Sequence, residues 1–252
     1  LRRVDHIVVT NSFIKKKFIE HKFSDDTVTV LPNGVDLSVF VRSESTSEAR
    51  AKLQLEKHIP NIEKKKILLY TGSLRTMGVD KGVTDILSAL TMLDRSDVFF
   101  CAVGGTPEDI AFYERMARDL GVLPHVRFFP RASKEDLALF QRASDILLMP
   151  FPKLAHYEYF MSPLKTFEYM ASGRPIIASS LPSIKEVLSE DMALFCQPGN
   201  TEDLAKQIGR LLGDSQLSAQ LATRAMKEVE KYDQKVRAKK LLSLLVSTLP
   251  LL

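Results

Sequence analysis

From Lys66 to Phe195 the chain alternates short apolar runs with longer segments of helical period, and few folds accommodate that rhythm. The apolar runs are Lys66–Thr71, Val98–Val103, Val126–Pro130, Asp145–Met149, Pro175–Ala178 and Ala193–Phe195. They are nearly continuous rather than alternating polar and apolar, as expected of strands buried on both faces. Helical patterns lie between them at Gly82–Met92, Glu108–Leu120, Lys134–Arg142, Leu164–Ala171 and Ser183–Ser189. Such an alternation predicts an α/β fold, a doubly wound parallel sheet with helices on both faces. Ligands of such sheets bind outside the carboxyl ends of the strands, so the residues after each strand carry the functional information.

After the first strand comes Gly72–Gly82, whose glycines let the backbone approach a ligand closely and whose Arg75 and Lys81 suit a phosphate. Gly104, Gly105, Thr106 and Pro107 follow the second strand, and Arg131, Ala132 and Ser133 the third, with Ser133 placed to cap a helix. The fourth strand leads into Pro150–Pro163, a loop long enough to be functional. Its Tyr157, Tyr159 and Phe160 either line a pocket or pack the loop down, and His156 is to be read as a surface histidine or as a functional one. In Ser162–Ser179, Ser162 reads as an N-cap and Pro163 as the first helical residue. Leu164, Phe167, Met170 and Ala171 share one helical face, and Gly173 suits a left-handed stop. A helix start attracts phosphate, and Glu168 one turn on can accept from sugar hydroxyls, so the stretch reads as a nucleotide diphosphate site. The plain alternative is a capped helix with solvated charges. No G-x-G-x-x-G and no Walker lysine motif is present, which argues against an ordinary NAD site or P-loop.

The ends behave differently. His6–Thr10 and Thr27–Leu31 read as strands around a helix at Phe13–Glu20, followed by a turn at Asn33-Gly34, and this piece is too small to bury a core alone. Ser43–Lys65 is polar, and from Thr201 onward only helices are readable. A net charge of +4 is too small to demand nucleic acid and is compatible with an anionic ligand or an acidic membrane surface. Lys15, Lys16 and Lys17 form the densest basic run near the start, to be read as a solvated helix face or as attraction to lipid headgroups. Cys101 and Cys196 lie in apolar runs and read as buried thiols, which favours a reducing compartment. The scattered histidines form no metal-ligand spacing, and no apolar run reaches the length of a membrane span.

Ile7–Ser12, Val30–Asp36, Tyr70–Leu74, Lys81-Gly82, Ser144-Asp145, Ser162–Ala171 and Gly173–Ala178 together resemble the nucleotide-sugar glycosyltransferases of the two-Rossmann (GT-B) fold, specifically glycosyltransferase family 4. The resemblance implies a tail of an N-terminal acceptor domain at 1–40, a linker at 41–65 and a Rossmann-like donor-binding domain at 66–233. A C-terminal helix follows at 234–252, placed to pack back on the N-terminal domain. It implies a retaining transferase that moves a sugar from a nucleotide-diphosphate donor to a glycan or lipid-linked acceptor, with no cofactor and no metal. It also implies a cytoplasmic setting, with or without peripheral association at the inner membrane face. By the same resemblance Arg75 and Lys81 are catalytic. Gly72, Ser73, Gly104, Arg131, Ala132, Ser162, Pro163, Leu164, Lys165 and Glu168 contact the donor, the last through its ribose. The family places another glutamate eight residues before Glu168; here that position is Phe160, with Glu158 the nearest carboxylate. That departure keeps a second reading open, a non-catalytic nucleotide-binding subunit of a glycan-assembly complex. A nucleotide-sugar epimerase is a third, which the SPLK stretch disfavours.

Overall fold

The computed structural model describes residues 4–93 and 95–248. The chain opens with β1 (Ile7–Val9), α1 (Ser12–Glu20) and β2 (Val28–Val30), and the two strands pair in parallel as a small separate sheet. Asn11 caps α1, accepting from the Ile14 N–H at 2.8 Å, and its amide donates to Met161 O at 3.1 Å. Asn33 reaches the same region, donating to Ser162 O at 2.8 Å. The N-terminal piece therefore finds its partner layer against the long loop before residue 163. Two short helices, α2 (Leu37–Phe40) and α3 (Thr46–Lys52), lead into the main sheet; α2 was not expected from the sequence.

The main body runs β3 (Lys66–Thr71), β4 (Arg75–Thr76), β5 (Val79–Asp80), α4 (Val83–Leu90), β6 (Val98–Gly105), α5 (Pro107–Asp119), β7 (Val126–Pro130), α6 (Lys134–Ala143) and β8 (Ile146–Met149). It continues through α7 (Leu164–Ala171), β9 (Ile176–Ser179), α8 (Pro182–Lys185), β10 (Leu194–Cys196), α9 (Thr201–Gly213), α10 (Ser215–Val229) and α11 (Gln234–Thr248). Six strands form one parallel sheet in the order β10-β9-β8-β3-β6-β7. Successive strand residues point to opposite faces. Ile67, Leu69, Phe99, Cys101, Leu147 and Met149 pack on one side against α3, α6, α7 and α10. Leu68, Tyr70, Phe100, Ala102, Ile146 and Leu148 pack on the other against α4, α5 and α9. This double burial explains the unbroken apolar runs. Cys101 and Cys196 are buried free thiols, each pushed up to about 12 by burial, and so are unreactive as thiolates.

Two expectations are corrected. The stretch Gly72–Gly82 is not all loop: β4 and β5 form a small antiparallel hairpin, with Met77 and Gly78 at its tip in positive φ of 51 and 80°. A two-residue tip with both φ values positive matches the twist of paired strands, which lets the hairpin form although Met is an unusual occupant. The helix read over Ser183–Ser189 closes at Lys185, beyond which the backbone continues through isolated turn bonds. At the C-terminal end Val35 N–H donates to Tyr232 O (3.0 Å), and Gln234 N–H donates to Val35 O (2.9 Å). Arg237 adds a bond from Nε to Pro32 O at 2.9 Å, so the entry to α11 is tied to the loop after β2. No helix among the described residues is long and apolar enough to cross a membrane.

Candidate functional site

Strand order reverses between β3 and β8, and the crevice above their carboxyl ends is where an open α/β sheet holds its ligand. Three glycines let the surrounding loops lie close together. Gly72 follows β3 with φ +105°, and a Cβ on Gly104 (φ +124°) would lie 2.4 Å from Gly72 O. A Cβ on Gly82 (φ +95°) would lie 1.8 Å from Pro150 O, the first residue after β8. Asp80 fixes the end of the hairpin, accepting from Gly82 N–H at 2.6 Å and from the Tyr113 hydroxyl.

α7 rises from this crevice. Its N-cap is Pro163, with extended backbone (φ −72°, ψ 128°) and no side-chain cap, so Ser162 is not the cap that the sequence suggested. Ser162 instead presents its carbonyl to Asn33. Without a capping side chain the positive end of the helix dipole stays uncompensated.

Lys165 lies in the first turn. The residue as a whole is half-buried, but its Nζ is shut off from solvent and has no hydrogen-bond partner. That ammonium lies 3.6 Å from the centre of the Tyr70 ring and 5.0 Å from that of Phe151. A Cβ on Gly72 would come within 3.5 Å of it. Burial, and then the neighbouring Lys81 charge, pull its pKa well below the ordinary lysine value, against the opposing pull of Glu168. Lys81 is half-buried, its own pKa is lowered by burial, and it makes no salt bridge among the described residues. Glu168 follows Lys165 by three residues on the same helical face. Burial raises its pKa, while Lys165 and Lys134 act against the rise. Lys81 and Glu168 thus both act on the Lys165 charge at an open helix start, a set of groups suited to a diphosphate flanked by hydroxyls.

Tyr169 holds α7 in place. Its buried hydroxyl accepts from Thr71 N–H at 2.8 Å and donates to Leu148 O at 3.4 Å, joining the helix to both central strands. Tyr169→Phe should leave the Thr71 N–H unpaired and cost about 1–3 kcal/mol. Thermal unfolding should then show a Tm lower by about 2–10 °C; an unchanged Tm would mean that Thr71 finds another acceptor.

The remaining residues singled out from sequence are distributed unevenly. Gly72, Gly104, Lys81, Lys165 and Glu168 converge. Ser73 lies in the same loop, its carbonyl accepting from the Tyr70 hydroxyl at 3.1 Å, and Leu164 is exposed at the helix start. Arg75 is carried aside by the hairpin: its Nε donates to Asp109 at 2.7 Å and its guanidinium stacks on Phe112 at 4.6 Å. Burial pushes Asp109 up, but its bonds to Arg75 and Thr106 outweigh that and hold it below the usual carboxylate range. Arg131 is exposed and Ala132 half-buried, after β7 at the sheet edge, two strands from β3. Glu158 and Phe160 fall in a single irregular helical turn, His156–Phe160, where Tyr159 packs on Phe13 at 5.3 Å. Tyr70, Phe151, Tyr169 and the side-chain role of Lys165 were missed from sequence. A lysine three residues before Glu168 on an otherwise apolar helix was the available signal.

The model of the family of glycosyl transferases group 1 matches residues 52–228. A D-inositol 3-phosphate glycosyltransferase of Xylanimonas cellulosilytica is 28% identical over 204 residues, covering 79% of this chain and 46% of the relative. An N-acetyl-alpha-D-glucosaminyl L-malate synthase of Bacillus anthracis is 28% identical over 237 residues, 93% of this chain and 56% of the relative. The chain thus spans about half the length of the curated relatives it matches. Among solved structures, a glycosyltransferase from Rickettsia africae superposes with a TM-score of 0.82 at 18% identity, over 96% of this chain and 63% of that one. Anabaena HepE in complex with UDP gives 0.78 at 19% identity, over 98% and 65%. These likenesses show a GT-B glycosyltransferase fold, and with the family match covering most of its length, the chain belongs to the glycosyl transferases group 1 family.

Proposed function

We propose that this chain is the donor-binding half of a retaining glycosyltransferase of family 4, using a nucleotide-diphosphate sugar and a glycan or lipid-linked acceptor. The observation that carries the reading is the Lys165 ammonium, buried without a partner beside Lys81 at the uncapped start of α7. A buried cation of this kind is costly unless an anion completes it. Support also comes from the fold neighbour HepE, which has been solved with UDP and with UDP-glucose.

In this reading the diphosphate lies across the helix start, and Lys81, Lys165 and the first amides of α7 stabilise the charge that develops as it leaves the sugar. The contribution is electrostatic and preorganised, and it needs no proton transfer from this half of the enzyme and no metal. Attack on the same face of the sugar gives retention. Lys165 takes the place of second cation that the sequence suggested for Arg75, because Arg75 is engaged by Asp109. Glu168 accepts from the ribose hydroxyls.

Calorimetric titration with UDP, GDP and ADP tests the site, and Glu168→Ala should weaken the tightest of them by roughly 1.5–3 kcal/mol. Failure of all three to bind, or an unaffected Glu168→Ala, would remove the proposal. Transfer of labelled sugar by a longer form carrying an acceptor domain tests catalysis. Phe160, standing where the family places a glutamate, favours the second reading of a nucleotide-binding subunit; binding without transfer would decide for it.

A further inference from the structure

A second hollow lies at the opposite end of the sheet from the donor crevice. It encloses about 310 Å³, and its wall includes Lys66 and Ile146, the first residues of β3 and β8, together with Asp145, Gly173 and Arg174. The turn from α9 into α10 lines the other side. Lys66 and Gly72 stand six residues apart along extended chain, so about 20 Å separates this hollow from the glycine loops of the crevice.

Positive charge gathers here beyond what the nearby acid balances. Among the described residues Asp145 is the one acid on the wall. Its Oδ2 accepts from Arg50 Nη2 at 2.9 Å and from the Ile67 N–H at 2.8 Å, while Lys66 Nζ stays 3.6 Å from Oδ1, too far for a hydrogen bond. Arg174 donates from Nη2 to Thr46 Oγ1 and to Arg142 O, each at 2.6 Å, and its Nε is shut off from solvent without a partner. Arg142 adjoins it: a Cβ on Gly173 would lie 3.7 Å from Arg142 Nη1. Arg142 Nε donates to the backbone oxygen of Glu44, whose carboxylate is taken by Arg42 and Lys52. Among the described residues neither Arg142 nor Arg174 makes a salt bridge.

The carbonyl end of α6 accounts for part of this gathering. Arg50 donates to Ala143 O at 2.9 Å and Arg174 to Arg142 O, and helix ends of this sign attract cations. That end supplies about half a negative charge, and Asp145 one more, against Arg50, Lys66, Arg142 and Arg174, which leaves a surplus of about two and a half positive charges. Burial, and then the neighbouring Arg142 charge, bring the Arg174 pKa down to about 10. Crowded, half-buried cations of this kind are costly unless an anion completes them.

We propose that this hollow is a second anion site, which takes a phosphate group, free or carried on a small monoester, between Arg174 and Lys66. Arg174 Nη1, which makes no hydrogen bond, and the loosely held Lys66 ammonium are the groups left to donate. A phosphate dianion matches the surplus charge, and a guanidinium beside an ammonium suits its oxygens. A volume of about 310 Å³ is at the small end of ligand pockets and selects a small ligand rather than a whole nucleotide sugar. The inference stands apart from the reading of the donor crevice.

Calorimetric titration of the chain with inorganic phosphate and, separately, with glycerol 3-phosphate at fixed ionic strength tests it. Saturable binding of at least one is expected, and the tighter of the two identifies the source of the phosphate group. Lys66→Met should weaken that binding about 3- to 10-fold and Arg174→Lys about tenfold or more, with nucleoside-diphosphate affinity unchanged in both. Arg174→Lys also gives up two hydrogen bonds and lowers Tm; Lys66 is exposed, so Lys66→Met folds normally and keeps the test decisive. Loss of phosphate binding in Lys165→Met but not in Lys66→Met would assign the anion to the donor crevice and overturn the inference. So would the absence of saturable binding at millimolar ligand, or an equal response to chloride at the same ionic strength.

Discussion

Lys165→Met should weaken nucleoside-diphosphate binding by roughly 10- to 100-fold and at the same time raise Tm. The first effect is the loss of a charge-assisted contact to phosphate in a site sheltered from water. The second follows from the same burial. The Lys165 ammonium has no partner in the free chain, whereas a thioether of similar length would rest favourably on the Tyr70 and Phe151 rings that already surround it. Gains in stability paired with loss of binding mark a group held for function. If the variant binds as tightly as the parent, the diphosphate site is elsewhere.

The pH dependence of this pair has a definite sign. Burial and the Lys81 charge lower the folded-state pKa of Lys165 below its unfolded value. Between those two values the unfolded chain holds more protons, so the stability of the wild-type chain rises with pH across that window. The Tm advantage of the Met variant should therefore be largest below the depressed pKa and shrink as pH climbs toward the ordinary lysine value. Ligand linkage runs through the same group. A bound diphosphate favours the ammonium, so above the depressed pKa binding should take up a proton and affinity should fall as pH rises. Calorimetry in buffers of different ionisation heat reads that uptake directly; it should vanish in Lys165→Met.

Much of this architecture was legible because burial on both faces leaves a plain signature: β3 and β7 fall on their predicted spans, and the other main-sheet strands lie within a residue or two of theirs. Hydrophobic period also placed α7 at Leu164–Ala171. What escaped was set by contacts distant in sequence. The β4–β5 hairpin depends on Met77 accepting a positive φ, which composition does not reveal, and it is the hairpin that turns Arg75 toward Asp109. Ser162 has the right chemistry for a cap, but Asn33, more than a hundred residues earlier, draws on its carbonyl. Tyr169 lies off the apolar stripe of the helix and carries no local signal, yet its hydroxyl serves Thr71 on β3. Lys165 was placed by the helix start, while the aromatic walls that enclose its ammonium come from β3 and from the residue after Pro150, which no local pattern joins.

The second large effect is expected at Gly82, which has the tightest clearance of any glycine in the site. Gly82→Ala would set a methyl 1.8 Å from Pro150 O and 2.7 Å from its carbonyl carbon, at φ +95°. Both of these atoms are backbone, so no rotamer change relieves the clash; the Lys81–Gly82 segment and the end of β8 must move apart. A positive φ costs an alanine about 1 kcal/mol and a forced backbone shift in a packed region about 1–3 kcal/mol more. Thermal unfolding should thus show a loss of about 2–4 kcal/mol, with nucleotide affinity falling alongside because Lys81 is carried away from Lys165. Gly78→Ala supplies the control. It has nearly the same backbone constraint, φ +80°, at the exposed hairpin tip, with nothing within 4 Å of a new Cβ. Only the conformational cost should appear there, with nucleotide affinity unchanged. Were the two variants to lose equal stability and equal affinity, close contact between the Lys81 loop and the end of β8 could not be what shapes the crevice.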